Sequence, residues 1–193
     1  MFLEKYKTIY VAINRVASNS IHQNLAPHAD EENSELLDYS NLVSKYGKGT
    51  MSKNFVFSIV RNPYDRLVSA YFGLVKDDLD ILRHYKVNTF EGFVNFALES
   101  RVDGLFDHIV AQSDLLKSQT ERRDNSSVDY VGRYETLQRD FKTACDVHAT
   151  PHKWLKVTNK SNRFNYRYYY NHDLRTKVRK FYQEDFETFK YKF

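Results

Sequence analysis

The stretch from Phe55 to Phe72, FVFSIVRNPYDRLVSAYF, constrains the fold more than any other part of the sequence. Its first six residues are mostly β-branched and aromatic, without Gly or Pro, which is typical of a strand buried in a parallel sheet. Pro63 suits the first turn of a helix, where its missing N–H is not needed, and Asn62 is the expected cap. The stretch therefore predicts a strand, Phe55 to Val60, that turns directly into a helix.

Two stripes run along the predicted helix. The apolar residues recur at helical spacing and predict a face packed in the core; they are Tyr64, Leu67, Val68, Tyr71 and Phe72. The opposite stripe carries Asn62, Arg66, Ser69 and Gly73. Arg61 at the junction, the helix N-terminus and the Ser69 hydroxyl two turns on form a candidate anion site. The alternative is a well-capped core helix whose arginines are solvated or paired with Asp65.

Length and composition limit the number of domains and the class of protein. The 193 residues are enough for one domain with a proper core, which we place at 1–193. A content of 41% apolar and 28% charged residues fits a soluble globular protein, and the net charge of +4 mildly favours an anionic ligand. The single cysteine, Cys145, excludes an internal disulfide framework and fits a reducing compartment.

The N-terminal residues MFLEKYKTIYVAI carry charges early and form no long apolar run. That pattern argues against a signal peptide or a transmembrane segment. We therefore expect either a cytoplasmic protein without a membrane anchor or a trimmed domain.

A second strand-to-helix junction lies near the N-terminus. Thr8 to Ile13 is the predicted first strand, and a polar loop then leads into a helix from Ile21 to Leu25. The amides at the start of such a helix are free to meet a phosphate, so the segment is half of a nucleotide-binding unit. No glycine and no G-K-[ST] occur in the loop, which excludes a Walker A loop. An ordinary strand-to-helix turn remains the alternative.

Four further elements complete the predicted architecture. We expect a short helix at Ser34 to Val43, a helical region from Leu74 to Leu98 with Thr89 or Asn88 as a cap, a strand at Val128 to Val131, and a C-terminal helix pair. The predicted core residues of that pair are Leu174, Val178, Phe181, Phe186 and Phe189. The whole chain predicts an α/β domain with a central parallel sheet flanked by helices.

The R-N-P-Y-D-R motif at Arg61, with Ser69 following, resembles the 3'-phosphate-binding motif of the sulfotransferases that use 3'-phosphoadenosine 5'-phosphosulfate (PAPS). The likeness is greatest to the carbohydrate branch, of heparan and chondroitin type, and to its bacterial relatives. The resemblance implies a P-loop-NTPase-like sulfotransferase fold and implies that Arg61 and Ser69 hold the 3'-phosphate.

The loop after the first strand resembles the family's 5'-phosphosulfate loop, I-P-K-T-x-G-T-S. The family's proline falls on Asn14 and its catalytic lysine on Arg15. Arginine keeps the positive charge but cannot give up a proton near neutral pH, so it would help the leaving phosphate only electrostatically. The resemblance implies that the loop residues binding the 5'-phosphosulfate are Arg15, Ala17, Ser18, Asn19 and Ser20.

The segment FDHIVAQSDLL resembles a pattern of the same family in which an Asp and a His precede Q-S-D-L-L, through Asp107, His108, Gln112 and Asp114. A histidine with a pKa near 6.5 can take the proton from an attacking hydroxyl, and a neighbouring carboxylate can tune it. We expect His108 to be the catalytic base, with substrate positioning or packing as the alternatives. His28 and the acidic cluster near it are further candidates for the catalytic base, although they match no motif.

Two more segments resemble the family. The resemblance of D-Y-V-G-R-Y-E implies that Tyr134 lies against the adenine or its ribose; the alternative is a core tyrosine beside the end of the strand. The N-K-S run implies that Lys160 and Ser161, with Arg163, form a basic lip over the 3'-phosphate.

The function implied is sulfuryl transfer from PAPS to a hydroxyl, less often an amine, of an acceptor that is by family default a saccharide. No metal is expected, and the oligomeric state is left open. The alternatives are a PAPS-binding protein with weak or no activity, a nucleotide kinase, which the missing Walker A lysine disfavours, and a basic nucleic-acid-binding module. Interleaved Tyr, Arg and Lys near the C-terminus motivate the last, although we expect no nucleic-acid partner.

Overall fold

The computed structural model describes residues 1–77, 86–99, 106–117, 128–156 and 163–193. The chain divides into two compact units. The first unit comprises Met1–Val60 and Gln112–Asn159, and the second comprises Arg61–Ala111 and Lys160–Phe193. The assignment of residues 1–193 to one domain stays a prediction.

A sheet of four strands lies in the described part of the first unit. The strands are β1 (Phe2–Leu3), β2 (Thr8–Val11), β3 (Phe55–Val60) and β4 (Tyr130–Arg133), in the order β1-β2-β3-β4. β1 pairs antiparallel with β2, whereas β2, β3 and β4 are parallel. This mostly parallel sheet with its flanking helices confirms the predicted α/β class, and β3 has both predicted ends.

The helices of the described residues are, in chain order, α1 (Ser18–Leu25), α2 (Tyr39–Lys53), α3 (Pro63–Asp77), α4 (Phe90–Glu99), α5 (Phe106–Ile109), α6 (Gln112–Leu116), α7 (Leu137–Asp146), α8 (His172–Phe181) and α9 (Gln183–Thr188). In the first unit, α2 packs against β2 and β3, and α7 packs against β3 and β4. Phe57 is central to this core, because its ring lies 5.2 Å from Tyr10 and 6.5 Å from Phe141.

β4 and α7 approach closely at Gly132. A Cβ atom at this position would lie 2.6 Å from Cδ1 of Ile59 and 2.8 Å from Cβ of Asp140. Both distances are shorter than side-chain carbons tolerate, so only glycine fits between the strand and the helix.

The second unit is organised around α3. This helix packs against α4, α5 and a 3-10 turn at Tyr166–Tyr169, and α8 packs against α4 and α9. Tyr64 in the first turn of α3 has an aromatic cluster around it, formed by Tyr166, Tyr170, Phe186 and Phe193. The Tyr64 hydroxyl donates to the carbonyl oxygen of Arg175 at 3.1 Å, which fixes the first turn of α3 to α8.

Several predicted bounds in the first unit were wrong. β2 ends at Val11 and not at Ile13, because the N–H of Ala12 turns away to the carbonyl of Leu37 at 2.9 Å. The helix after the first loop begins at Ser18, three residues before Ile21.

The predicted helix at Ser34 to Val43 was also misplaced. α2 begins at Tyr39 because Asp38 caps it, accepting from the N–H of Asn41 at 2.8 Å, and it continues to Lys53 through a kink at Gly47, where φ is 77°. The predicted strand Val128 to Val131 is β4, two residues later.

Two predictions in the second unit were wrong. The helical region from Leu74 to Leu98 is not continuous, because Lys86 has a left-handed φ of 53° and a new helix begins at Phe90. Thr89 caps it as expected, accepting from the N–H of Gly92 at 3.0 Å. Phe181 is 43% exposed and is not a core residue, whereas the other four predicted core residues of the helix pair are buried.

Candidate functional site

The loop between β2 and α1, residues 12–17, belongs to the first unit. Arg15 and Ala17 both have left-handed backbone conformations, with φ of 68° and 70°. Non-glycine residues in this region are strained by about 1–3 kcal/mol each and are frequent at functional sites. Arg15 is half-buried beside the start of α1.

Ser18 closes this loop. Its hydroxyl donates to the carbonyl of Ile13 at 2.5 Å and accepts from the hydroxyl of Tyr10 at 3.2 Å. Burial raises the pKa of Tyr10, so its hydroxyl keeps the proton that it donates. The Ser18 side chain therefore fixes the loop to the strand in front of it, and what Ser18 can offer an anion is its backbone N–H.

The start of α1 is an electropositive helix end. The first intrahelical hydrogen bond from this end runs from the N–H of Ile21 to the carbonyl of Ala17, at 3.1 Å. The amides of Ser18, Asn19 and Ser20 precede it, and the first turn contains no acidic residue. Such amides and the helix dipole favour an anion, and Arg15 adds a full positive charge in the same loop.

A carboxylate joins two arginines in the second unit. Nε and Nη2 of Arg61 each lie 2.8 Å from Oδ2 of Asp65, and Nη2 of Arg163 lies 2.6 Å from Oδ1. The side chain of Arg61 is 8% exposed, that of Asp65 is 16% exposed and that of Arg163 is 10% exposed. The sequence offered the Arg61–Asp65 pair as an alternative to a ligand site, but it gave no sign that Arg163 binds the same carboxylate.

Asn62 fixes the start of α3. Its Oδ1 accepts from the N–H of Tyr64 at 3.0 Å, which confirms the predicted cap. Its Nδ2 donates to the carbonyl of Lys192 at 2.8 Å and lies 3.4 Å from the hydroxyl of Tyr166. Ser69 lies two turns further along α3 and is half-buried.

His108 is half-buried in the last turn of α5, which packs against α3. The backbone that follows it is held by two buried side chains: Arg66 Nη1 donates to the carbonyl of Val110 at 2.6 Å, and the Tyr182 hydroxyl donates to the carbonyl of Ile109 at 2.5 Å. Arg66 is only 2% exposed, so the alternative in which the arginines of this helix are solvated does not hold for Arg66.

Tyr134 is half-buried in a 3-10 turn, Tyr134–Thr136, directly after β4. Asp140 fixes this turn, because its Oδ2 accepts from the N–H of Arg133 and from the hydroxyl of Thr136, each at 2.8 Å. Burial favours the neutral form of Asp140, but the bonds from Arg139, Arg133 and Thr136 outweigh it and hold its pKa below the ordinary value. Lys160, Ser161 and the side chain of Asp107 lie outside the described residues.

The model of the sulfotransferase family matches residues 1–192 of the chain. The chain belongs to the sulfotransferase family. No curated protein and no solved structure matches it. As a sulfotransferase it is a transferase that moves a sulfuryl group between a donor and an acceptor.

Arg15 in the first unit, and Arg61 with Arg163 in the second, suit this activity of a sulfotransferase. The donor of a sulfuryl group carries negative charge that grows on the leaving oxygen during transfer, and fixed positive groups stabilise it.

Within the described part of this sulfotransferase, no helix is both long enough and apolar enough to cross a bilayer.

Proposed function

We propose that this sulfotransferase uses PAPS as its donor and transfers the sulfuryl group to a hydroxyl of an acceptor, releasing adenosine 3',5'-bisphosphate. The observation that carries the proposal is the pair of nearly buried arginines, Arg61 and Arg163, gathered on Asp65 at the start of α3. Nearly buried cations at a helix start favour a phosphate, and Arg61 lies in the motif that resembles the family's 3'-phosphate site. Ser69 would donate its hydroxyl to the same phosphate.

The 5'-phosphosulfate is assigned to the loop of the first unit. During transfer the bond between sulfur and the bridging oxygen breaks, and the electron pair stays on the 5'-phosphate. The amides of Ser18, Asn19 and Ser20 and the charge of Arg15 would stabilise this phosphate. Arg15 has no proton to give near neutral pH, so its part is electrostatic. The strained φ of Arg15 and Ala17 is consistent with a loop shaped for a ligand.

His108 is the proposed base. The acceptor oxygen forms the new bond to sulfur while its proton passes to the imidazole. The Arg66 and Tyr182 bonds to the carbonyls of the two residues after His108 would hold the backbone beside it in a fixed place. The proposed acceptor is a saccharide, the family default, and Tyr134 is proposed to contact the adenine or ribose of the donor.

Turnover with PAPS tests this function. The purified protein is incubated with PAPS and a panel of saccharides, and adenosine 3',5'-bisphosphate is measured by chromatography. We expect acceptor-dependent release from the wild type, and its loss in His108→Ala with unchanged nucleotide binding. Normal turnover in His108→Ala would contradict the assignment of the base.

Nucleotide binding without release of product from any acceptor would favour the second candidate, a PAPS-binding protein without activity. The observation that favours this candidate is Arg15 at the position of the family's catalytic lysine.

A further inference from the structure

Asp65 is the shared partner of the two arginines in the second unit. One carboxylate oxygen accepts from Arg61 through both Nε and Nη2, at 2.8 Å each, and the other accepts from Arg163 at 2.6 Å. The side chains of Arg61 and Arg163 are only 8% and 10% exposed. Two like charges held this close to each other in a partly desolvated place repel, and the carboxylate between them offsets that repulsion.

The three residues come from parts of the second unit that differ in secondary structure. Arg61 and Asp65 belong to the start of α3, which the Asn62 cap and the aromatic cluster around Tyr64 hold in place. Arg163 lies in residues 163–165, which have no regular secondary structure and precede the 3-10 turn. Asp65 therefore connects an irregular segment to a fixed helix start, across 98 residues of sequence.

We propose that Asp65 is a positioning residue of the 3'-phosphate site, which orients Arg61 and keeps Arg163 beside it before the nucleotide arrives. The inference rests on the proposed function, since it needs the 3'-phosphate at Arg61. A long arginine side chain that is already ordered loses less freedom when it binds an anion. The net charge of the three groups is +1, which still attracts a phosphate.

Calorimetric titration of Asp65→Asn tests the proposal, with adenosine 3',5'-bisphosphate and adenosine 5'-monophosphate as the two ligands. Asparagine has nearly the same shape but a weaker hold on two guanidinium groups. We expect the affinity for the bisphosphate to fall about tenfold, the effect of one charge-assisted contact, while the affinity for the monophosphate stays the same. If Asp65 had only a structural role, its substitution would lower the affinity for both nucleotides alike. The ratio of the two affinities is therefore the decisive readout.

Asp146→Asn is the matched control. Asp146 also pairs with a cation four residues away, Lys142, but both side chains are exposed on α7 and neither belongs to a motif. We expect this variant to bind both nucleotides like the wild type, because exposed pairs contribute little.

Arg163→Gln and the double variant Asp65→Asn/Arg163→Gln test the coupling. If Asp65 acts through the arginines, the double variant should lose clearly less binding free energy for the bisphosphate than the two single variants lose together. Fully additive losses would overturn the positioning role. Arg163→Gln alone carries the test if Asp65→Asn does not fold, and an unchanged ratio of affinities in it would also overturn the proposal.

Two other outcomes separate this proposal from the proposed function. Unchanged or tighter bisphosphate binding in Asp65→Asn would overturn the positioning role, because it would mean that the carboxylate is idle or competes with the phosphate. A wild type that does not distinguish the two nucleotides would overturn the proposed 3'-phosphate site itself.

Discussion

Arg61 is the residue on which the nucleotide assignment depends most. It is nearly buried, it is held by Asp65, and it follows directly after β3. We predict that Arg61→Ala lowers the affinity for adenosine 3',5'-bisphosphate roughly ten- to hundredfold, since a charge-assisted contact contributes about 1.5–3 kcal/mol. Calorimetry measures the change, and an unchanged affinity would rule out Arg61 as a phosphate ligand.

Arg15 tests the proposed mechanism at the 5'-phosphosulfate. A lysine here would restore the residue of the family pattern and keep the positive charge on a compact ammonium group. We predict that Arg15→Lys holds or raises the rate of turnover measured with PAPS and an acceptor. A collapse of the rate would show that the guanidinium has a role that the ammonium group cannot fill.

Asp140 gives a prediction of pH dependence. Its pKa in the folded protein is lowered, so its ionised form stabilises the fold above the ordinary Asp pKa, and this contribution is lost as the pH falls through the lowered value. We predict that Asp140→Asn costs about 1.5–3 kcal/mol of the free energy of unfolding at neutral pH.

The difference in the free energy of unfolding between Asp140→Asn and the wild type should shrink below about pH 4. Urea unfolding at a series of pH values measures it. A difference that stays constant down to pH 2 would contradict the role assigned to the charge.

The bounds of helices and strands could be predicted where they depend on residues that are neighbours in the sequence. The run of β-branched and aromatic residues fixes β3, and the Asn62–Pro63 pair fixes the start of α3, so both were predicted to the residue. The end of β2 could not be predicted, because the bond that removes Ala12 from the sheet goes to Leu37, far along the chain. α2 was misplaced because a helix with a kink at Gly47 has no single periodic pattern.

The contact of β4 with α7 leads to a prediction at this scale. Gly132→Ala would place a methyl group against Ile59 and Asp140, and either the strand or the helix must move. We predict a loss of about 1–3 kcal/mol of the free energy of unfolding, measured by urea unfolding. Gly49→Ala, where an added Cβ meets nothing within 4 Å, is the control and should not destabilise the protein. Equal stability of the two variants would contradict the close approach.

At the scale of the molecule, the sequence predicted the fold class and the family, but only part of the candidate site. The motifs around Arg15 and Arg61 are continuous in sequence and were recognisable there. The bond from Arg163 to Asp65 and the bond from Arg66 to Val110 join distant segments. No periodicity or spacing encodes such pairs, so only the folded chain shows them.

The proposed function requires that the protein has a site for a nucleotide with a 3'-phosphate. The most direct measurement is calorimetric titration of the wild type with adenosine 3',5'-bisphosphate and, separately, with adenosine 5'-monophosphate. We predict micromolar binding of the bisphosphate and binding of the monophosphate that is at least about tenfold weaker, the difference of one charge-assisted contact. Equal affinities, or no binding of the bisphosphate, would contradict it.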